Sequence, residues 1–370
     1  MANKIKDSNI SKLGFGFMRL PRIGEEFDME QINKMVDTFL ENGGTYFDTA
    51  FVYQGSEEAL RKSLVERYPR EKFRIATKLN LRFIESPDQI EGQFKTSMER
   101  LGVEYIDFYM LHGLDAKTSQ KAEEWGAWTF IQDLKAKGIV KHIGFSFHGP
   151  STDLEEILTK HPEVDFCQLQ INYLDWESPK VESRRIYEIA REHDVPVIVM
   201  EPVKGGMLAG EDAPIAELLR SVNPNSTLAS WALRFCTQLE GVLTTLSGMS
   251  ALEHVVDNVA TYNNIQPLSP LETETLKKAV EIFESIPRVP CTSCNYCEIC
   301  PSKIMIPAML DAYNNYMVYN TTNNVEHAYR MISNWGAKAS ACVECGACED
   351  ICPQKLDIIN PLKKLVELFE

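Results

Sequence analysis

A chain of 370 residues exceeds one ordinary core and suffices for a barrel of ~250 residues plus a smaller domain. Its 44% hydrophobic and 25% charged residues are the composition of a soluble globular protein. The formal net charge of −15 argues against nucleic acid or an anionic membrane as partner; it reads as a solvated acidic surface, and a basic redox partner protein is the one macromolecule it would suit. No apolar run approaches the ~18 residues of a membrane span, and the polar opening 1–12 has no signal-peptide pattern, so a cytoplasmic location is expected.

Taken in chain order, β-rich apolar runs occupy 13–18, 45–48, 73–78, 106–112, 139–146, 166–172, 195–200 and 241–247. Helical spacing of apolar residues fills the intervals at 30–41, 57–68, 87–101, 121–137, 153–160, 183–193, 226–237 and 251–262. Eight strand–helix units in strict alternation predict an α/β fold with a parallel sheet, and eight is the number that closes a (β/α)8 barrel. An open doubly wound sheet fits the alternation equally, but no Gly-x-Gly-x-x-Gly follows the first strand. After Tyr262 the pattern changes to a polar, proline-flanked connector at 263–270 and one helix at 271–286. The expected domains are therefore a barrel at 1–265, a helical connector at 266–287 and a small, mostly helical domain at 288–370.

Eight of the ten cysteines lie between Cys291 and Cys352; Cys167 and Cys236 sit in apolar runs and read as buried small hydrophobes. An even disulfide framework belongs to short secreted chains, so this clustering points to metal. One set is Cys291-x2-Cys294-x2-Cys297-x2-Cys300-Pro301, the other Cys342-x2-Cys345-x2-Cys348-x3-Cys352-Pro353. Three thiolates at two-residue gaps wrap one [4Fe–4S] cubane, and in two-cluster ferredoxins the fourth, just before proline, ligates the other cluster. That rule assigns Cys291, Cys294, Cys297 and Cys352 to one cluster, and Cys342, Cys345, Cys348 and Cys300 to the second. The first set ends on a two-residue gap where the ferredoxin run has three, and a pair of four-thiolate zinc sites is the competing reading. Helices expected at 306–316, 325–335 and 362–369 resemble the α-helical type of two-cluster ferredoxin domain.

Within the barrel, Asp48, Lys78 and His112 each end a predicted strand, and Tyr53 lies on the loop after the second; barrel enzymes build their sites on that rim. Individually, Asp48 with Lys78 also reads as a buried ion pair, and His112 as a core histidine. The stretch Phe47-Asp48-Thr49-Ala50-Phe51-Val52-Tyr53-Gln54-Gly55-Ser56-Glu57, with Ala76-Thr77-Lys78, Tyr109-Met110-Leu111-His112, Lys141-His142-Ile143-Gly144-Phe145-Ser146 and Leu13-Gly14-Phe15-Gly16, resembles the aldo/keto reductases over roughly residues 10–262. Gly55 stands one residue later than in that family's run. The resemblance implies an oxidoreductase acting on a small-molecule carbonyl, with Tyr53 as proton donor, Lys78 lowering the phenol's pKa, Asp48 holding the lysine, and His112 positioning the carbonyl.

It further implies cofactor contacts at Gly16, Phe17 and Met18, at Ser146 and Gln168 for a nicotinamide carboxamide, and at Met200 where an aromatic ring commonly stacks. Gly205 and Gly206 are expected near the pyrophosphate, and Gly248, Ser250, His254 and Asn258 around the last helix start. The family's asparagine after the serine is Phe147, and His254 replaces the basic residue expected for a 2′-phosphate. NADP, NAD and FMN therefore all stay open. Because nicotinamide passes hydride and a cluster one electron, two other functions stand beside carbonyl reduction. One is an electron-transfer protein with the barrel as scaffold, the other a flavin-dependent reductase fed by the clusters.

Overall fold

The computed structural model describes the chain apart from residues 1–4, 6, 8, 180, 211–214, 286–287, 290, 292–295, 320–321 and 353–355. Eight parallel strands close a barrel: β1 Leu13–Gly16, β2 Tyr46–Asp48, β3 Arg74–Leu79, β4 Ile106–Leu114, β5 Val140–Phe147, β6 Phe166–Gln170, β7 Val197–Met200 and β8 Val242–Ser247. Each pairs with its sequence neighbours, and β1 joins β8 through Leu13↔Thr245 and β2 through Gly14↔Tyr46. The expected strands all form, shifted by at most a few residues at their ends.

Helices cover the outside: α1 Met29–Glu41, α2 Ser56–Leu60, α3 Gln89–Leu101, α4 Ala116–Glu124, α5 Ala127–Ala136, α6 Ser151–Lys160, α7 Ser183–Glu192, α9 Leu228–Thr237 and α10 Leu252–Asn263; α8 Ala216–Val222 belongs to the second unit described below. In α1, Asp28 accepts from the Gln31 amide at 3.0 Å, and Ile32, Met35, Val36 and Phe39 bury one stripe against the strands. The helix expected over 121–137 is two helices. Asp115 and Thr118 form a capping box that starts α4 early, and Gly126 at φ 68° breaks the run before α5. The stretch expected as one helix over 57–68 passes from α2 into a π-turn at Arg61–Val65.

The closed sheet has two apolar layers. Outward-facing strand residues and the helices share one large core, whereas Tyr46, Ala76, Phe108, Met110, Phe166, Ile198 and Leu246 fill the barrel's interior, with Ile5 packed among them. Phe166 claims so much of that interior that its β5 neighbour must be glycine: a Cβ on Gly144 would stand 2.3 Å from the Phe166 carbonyl oxygen.

Two compact units are present: residues 1–204 with 229–268, and residues 205–228 with 269–370. In the second, α8 packs on α11 Pro270–Ser285, where Asn223 Nδ2 donates to Glu272 Oε1 at 3.2 Å. The helices α12 Ile306–Tyr319, α13 Thr322–Trp335, α14 Ala347–Ile351 and α15 Ile359–Phe369 follow, around a core of Ile304, Ile306, Met309, Leu310, Tyr329, Leu362 and Leu365. No helix among the described residues is long and apolar enough to cross a membrane.

Gly144→Ala should lower unfolding free energy by about 3 kcal/mol, because the obstructing atom is backbone and cannot yield. Gly92→Ala, exposed in α3 with open space at its Cβ, should instead stabilise by up to about 1 kcal/mol. Denaturant unfolding of both variants measures the contrast.

Candidate active site and cysteine centre

Alternation along each strand builds the rim. Side chains two residues apart share a face. Beyond the interior residues Tyr46, Ala76, Met110, Gly144, Phe166, Ile198 and Leu246 therefore come Asp48, Lys78, His112, Ser146, Gln168, Met200 and Gly248. Gly16, which ends β1 in register with Asp48, completes the ring. The residues singled out from sequence at strand ends thus form one layer at the carboxyl end of the barrel.

Lys78 is its electrostatic centre. Its side chain is 0% exposed, and its Nζ donates to Asp48 Oδ1 at 2.6 Å and to the Thr49 carbonyl at 2.7 Å. Burial works against the charge, but Asp48, then Tyr53 and Glu57, outweigh it and hold the lysine pKa above its ordinary value. Tyr53 follows β2 in a turn closed by Tyr53 N–H to Ala50 O (3.0 Å) and Ser56 N–H to Tyr53 O (2.8 Å). Gly55, the glycine that falls one residue late, adopts φ 74° and caps α2 in the left-handed region, which tolerates the extra residue. Lys78 Nζ lies 5.2 Å from the Tyr53 ring centre.

The direction of the Tyr53 shift corrects the expectation from sequence. Burial pushes the phenol's pKa up; Lys78 pulls it down, Asp48 and Glu201 push it back, and the balance stays above the ordinary tyrosine value. The lysine limits the rise and does not reverse it, so the phenol keeps its proton at neutral pH. His112 meets Tyr53 edge to face, ring centres 5.9 Å apart at 84°. Burial, Lys78, His148 and Arg82 depress its pKa to about 3, and the ring is neutral. Its Nδ1 lies 3.2 Å from Asn80 Nδ2, a contact no motif flagged.

Ser146 Oγ accepts from the Gly113 amide at 2.8 Å. Gln168 donates weakly to Met200 Sδ at 3.6 Å, and among the described residues its buried Oε1 has no partner. A buried acceptor without a donor is costly, and an N–H or O–H donor on a bound group would satisfy it. Phe17 is buried, Met18 is exposed, and the Phe17 carbonyl accepts from Ser56 Oγ at 2.8 Å, tying the loop after β1 to α2. Around α10, His254 Nδ1 accepts from the Ser250 amide at 3.3 Å, while Asn258 is buried and donates to Ser247 Oγ at 2.8 Å. Gly205 and Gly206 take φ 68° and 99° within the second unit. Sequence reading also passed over Arg19 and Glu201, an ion pair at 3.7 Å whose charges act on Tyr53.

In the second unit, Cys300, Cys342, Cys345 and Cys348 line one cavity together with Pro301, Ile304, Val343 and Leu362. The turn Tyr296–Ile299 packs on α14, so each cysteine loop lies against the other. Cys297 and Cys352 are buried in the same core, with Cys291 packed against it; Cys294 lies outside the described residues. Among the described residues no three His, Cys, Asp or Glu gather tightly enough for a single ion. Four thiols around a shared cavity form a ligand set that a [4Fe–4S] cubane can take.

The low His112 pKa has a stability consequence. Between pH 6.5 and about 3 the unfolded chain binds a proton that the folded ring refuses, so His112 destabilises the fold increasingly as pH falls through that window and contributes nothing at pH 7. His112→Asn should remove that component: its stability loss from pH 7 to pH 5, read from urea midpoints, should be smaller than in the native protein.

The aldo/keto reductase family model matches residues 12–281, and a 4Fe-4S dicluster domain matches residues 290–356. An aldo-keto reductase of Strobilurus tenacellus is 32% identical over 222 residues, 56% of this chain and 62% of its own length, so the match spans under two thirds of that relative. The holo form of an aldo-keto reductase from Bacillus halodurans superposes with TM-score 0.59 at 26% identity, covering 73% of this chain and 92% of its own. A Klebsiella pneumoniae aldo-keto reductase in complex with NADPH superposes with TM-score 0.60 at 20% identity, covering 73% and 90%, a likeness of fold. With the model matching most of its length and the strand-end layer in place, this chain belongs to the aldo/keto reductase family and carries a 4Fe-4S dicluster domain after its barrel.

Proposed function

We propose that the barrel rim reduces a small-molecule carbonyl with NAD or NADP, and that the cysteine unit holds two [4Fe–4S] clusters. The observation that carries the first half is the meeting at the rim of buried Lys78 and Asp48 with the half-buried rings of Tyr53 and His112. Bound over that layer, a reduced nicotinamide supplies the hydride. Tyr53 O–H gives a proton to the oxygen that becomes negative, and the Lys78 cation beside it stabilises the phenolate left behind. Asp48 keeps Lys78 charged and aimed, and neutral His112 orients the carbonyl. Ser146 and Gln168 take the carboxamide, for which Gln168 Oε1 is the waiting acceptor. From residue 247 to residue 263 there is no lysine or arginine to meet a 2′-phosphate, which favours NAD over NADP.

For the clusters, the cavity shared by Cys300 with Cys342, Cys345 and Cys348 supports the crossed assignment. Cys291, Cys294, Cys297 and Cys352 then hold the other. Each supplies one-electron transfer when bound, to a partner protein or to a second acceptor in turnover.

Tyr53→Phe should cut NAD(P)H-dependent carbonyl reduction at least about 100-fold with the visible cluster absorbance unchanged; undiminished turnover removes Tyr53 as the proton donor. Anaerobically prepared protein should contain about eight irons and eight acid-labile sulfides per chain, and Cys345→Ser should lose about half of both. Zinc without sulfide would replace the cluster reading.

A further inference from the structure

Asn80 stands one residue past β3 and two past Lys78, and it is 6% exposed. One side chain grips both sides of its backbone: its amide donates to Gln93 Oε1 at 2.6 Å, and its carbonyl accepts from Gln93 Nε2 at 3.2 Å. Its own side chain caps the short 3-10 turn Leu81–Phe83, with Oδ1 accepting from the Arg82 amide at 2.9 Å. With the oxygen so committed, the amide nitrogen is the atom that faces His112 Nδ1. That nitrogen has hydrogens to give and no lone pair to offer. Nδ1 must then accept, and the ring's one proton sits on Nε2. Flipping the amide would set two donors against each other at Arg82 and lose the cap.

We propose that Asn80 is a positioning residue for carbonyl reduction at this rim: it fixes His112 as the neutral Nε2–H tautomer, so that the ring meets the substrate oxygen as a hydrogen-bond donor. The inference rests on the reductase reading above. A carbonyl oxygen has two lone pairs, and this arrangement offers it two donors, Tyr53 O–H and His112 Nε2–H, on rings set edge to face. In the opposite tautomer the Nε2 lone pair would repel that oxygen. A doubly protonated ring would drive Nδ1–H into the Asn80 NH2. Both alternatives are disfavoured by the same side-chain amide, whose oxygen is held by the Arg82 amide while Gln93 holds the Asn80 backbone.

The test is Asn80→Asp in the full-length, cluster-loaded protein. The variant preserves size and the acceptor for the Arg82 amide, but it turns the donor facing Nδ1 into an acceptor. Nitrogen-15 spectra of histidine-labelled protein, with the His112 signal assigned through His112→Gln, read the tautomer directly. We expect Nε2–H in the native chain and Nδ1–H in the variant at pH 8. Native kcat/KM should show no titration of His112 from pH 8 down to pH 5. In the variant it should fall about 100-fold at pH 8 and recover on acidification, as Nε2 regains a proton while the introduced carboxylate keeps Nδ1–H. Asn80→Ala, which removes the preference without reversing it, should show a smaller loss. An Nε2–H signal persisting in Asn80→Asp, or a loss independent of pH, would overturn the assignment. If the native protein reduced no carbonyl at all, the reductase reading would fall, and the tautomer spectra would still decide what Asn80 does to His112.

Discussion

A lysine ammonium with no exposed side-chain surface is the constraint around which the barrel rim is organised. Removing such a charge from water costs several kcal/mol unless an opposite charge and further acceptors take over from solvent. Asp48 Oδ1 and the Thr49 carbonyl do so from the neighbouring strand end. Both are delivered by the β2–β3 register, in which Asp48 lies beside Ala76, two residues before Lys78 on the same face. The cation in turn sets the character of its neighbours. It limits the upward pull of burial on Tyr53 and adds to the forces that keep His112 neutral. One charge therefore acts on a phenol that holds its proton and on an imidazole that refuses one.

The interior layer beneath explains why that charge can be held so still. Tyr46, Phe108, Phe166 and Met110 fill the barrel to the point that Gly144 has no room for a methyl group. A close-packed floor of this kind leaves the residues above it few ways to relax. In the top layer, Gly248 leaves open space, since a Cβ there would meet nothing within 4 Å, whereas Gly16 lies close against the β8 backbone. The partnerless Gln168 oxygen lies in this same top layer.

The cysteine unit poses a different chemical problem. Hydride transfer moves two electrons at once and a [4Fe–4S] cluster moves one, so the two chemistries need an intermediary or separate tasks. Nothing in the ligand set requires them to be coupled in each turnover. Within its own unit, the arrangement is economical: two similar cysteine loops pack against each other, and the first lends its last thiol, Cys300, to the cavity lined by the second. Val343 and Cys345 at that cavity are exposed, which brings the proposed second cluster near the surface, where electron exchange with another molecule is easiest.

Much of this was legible along the chain because it is written in local periods. Eight alternating apolar runs announced the barrel. Asp48, Lys78 and His112 were each readable as the end of a run, Ser146, Gln168 and Met200 came from the family resemblance, and two-residue cysteine gaps carry their own geometry. Alternation needs no knowledge of neighbours, since a residue two places beyond a buried one shares its face. What the sequence alone left open depends on partners far away along the chain. The break at Gly126, the grouping of 205–228 with the second unit and the net direction of the Tyr53 shift were decided by burial and by charges brought from other strands. So was the orientation of Asn80, which follows from Gln93 and Arg82 gripping it together. Spacing in the chain determined which residues reach the rim; only the closed structure decided which of their atoms face one another, because donor and acceptor directions are set by contacts that no local pattern encodes.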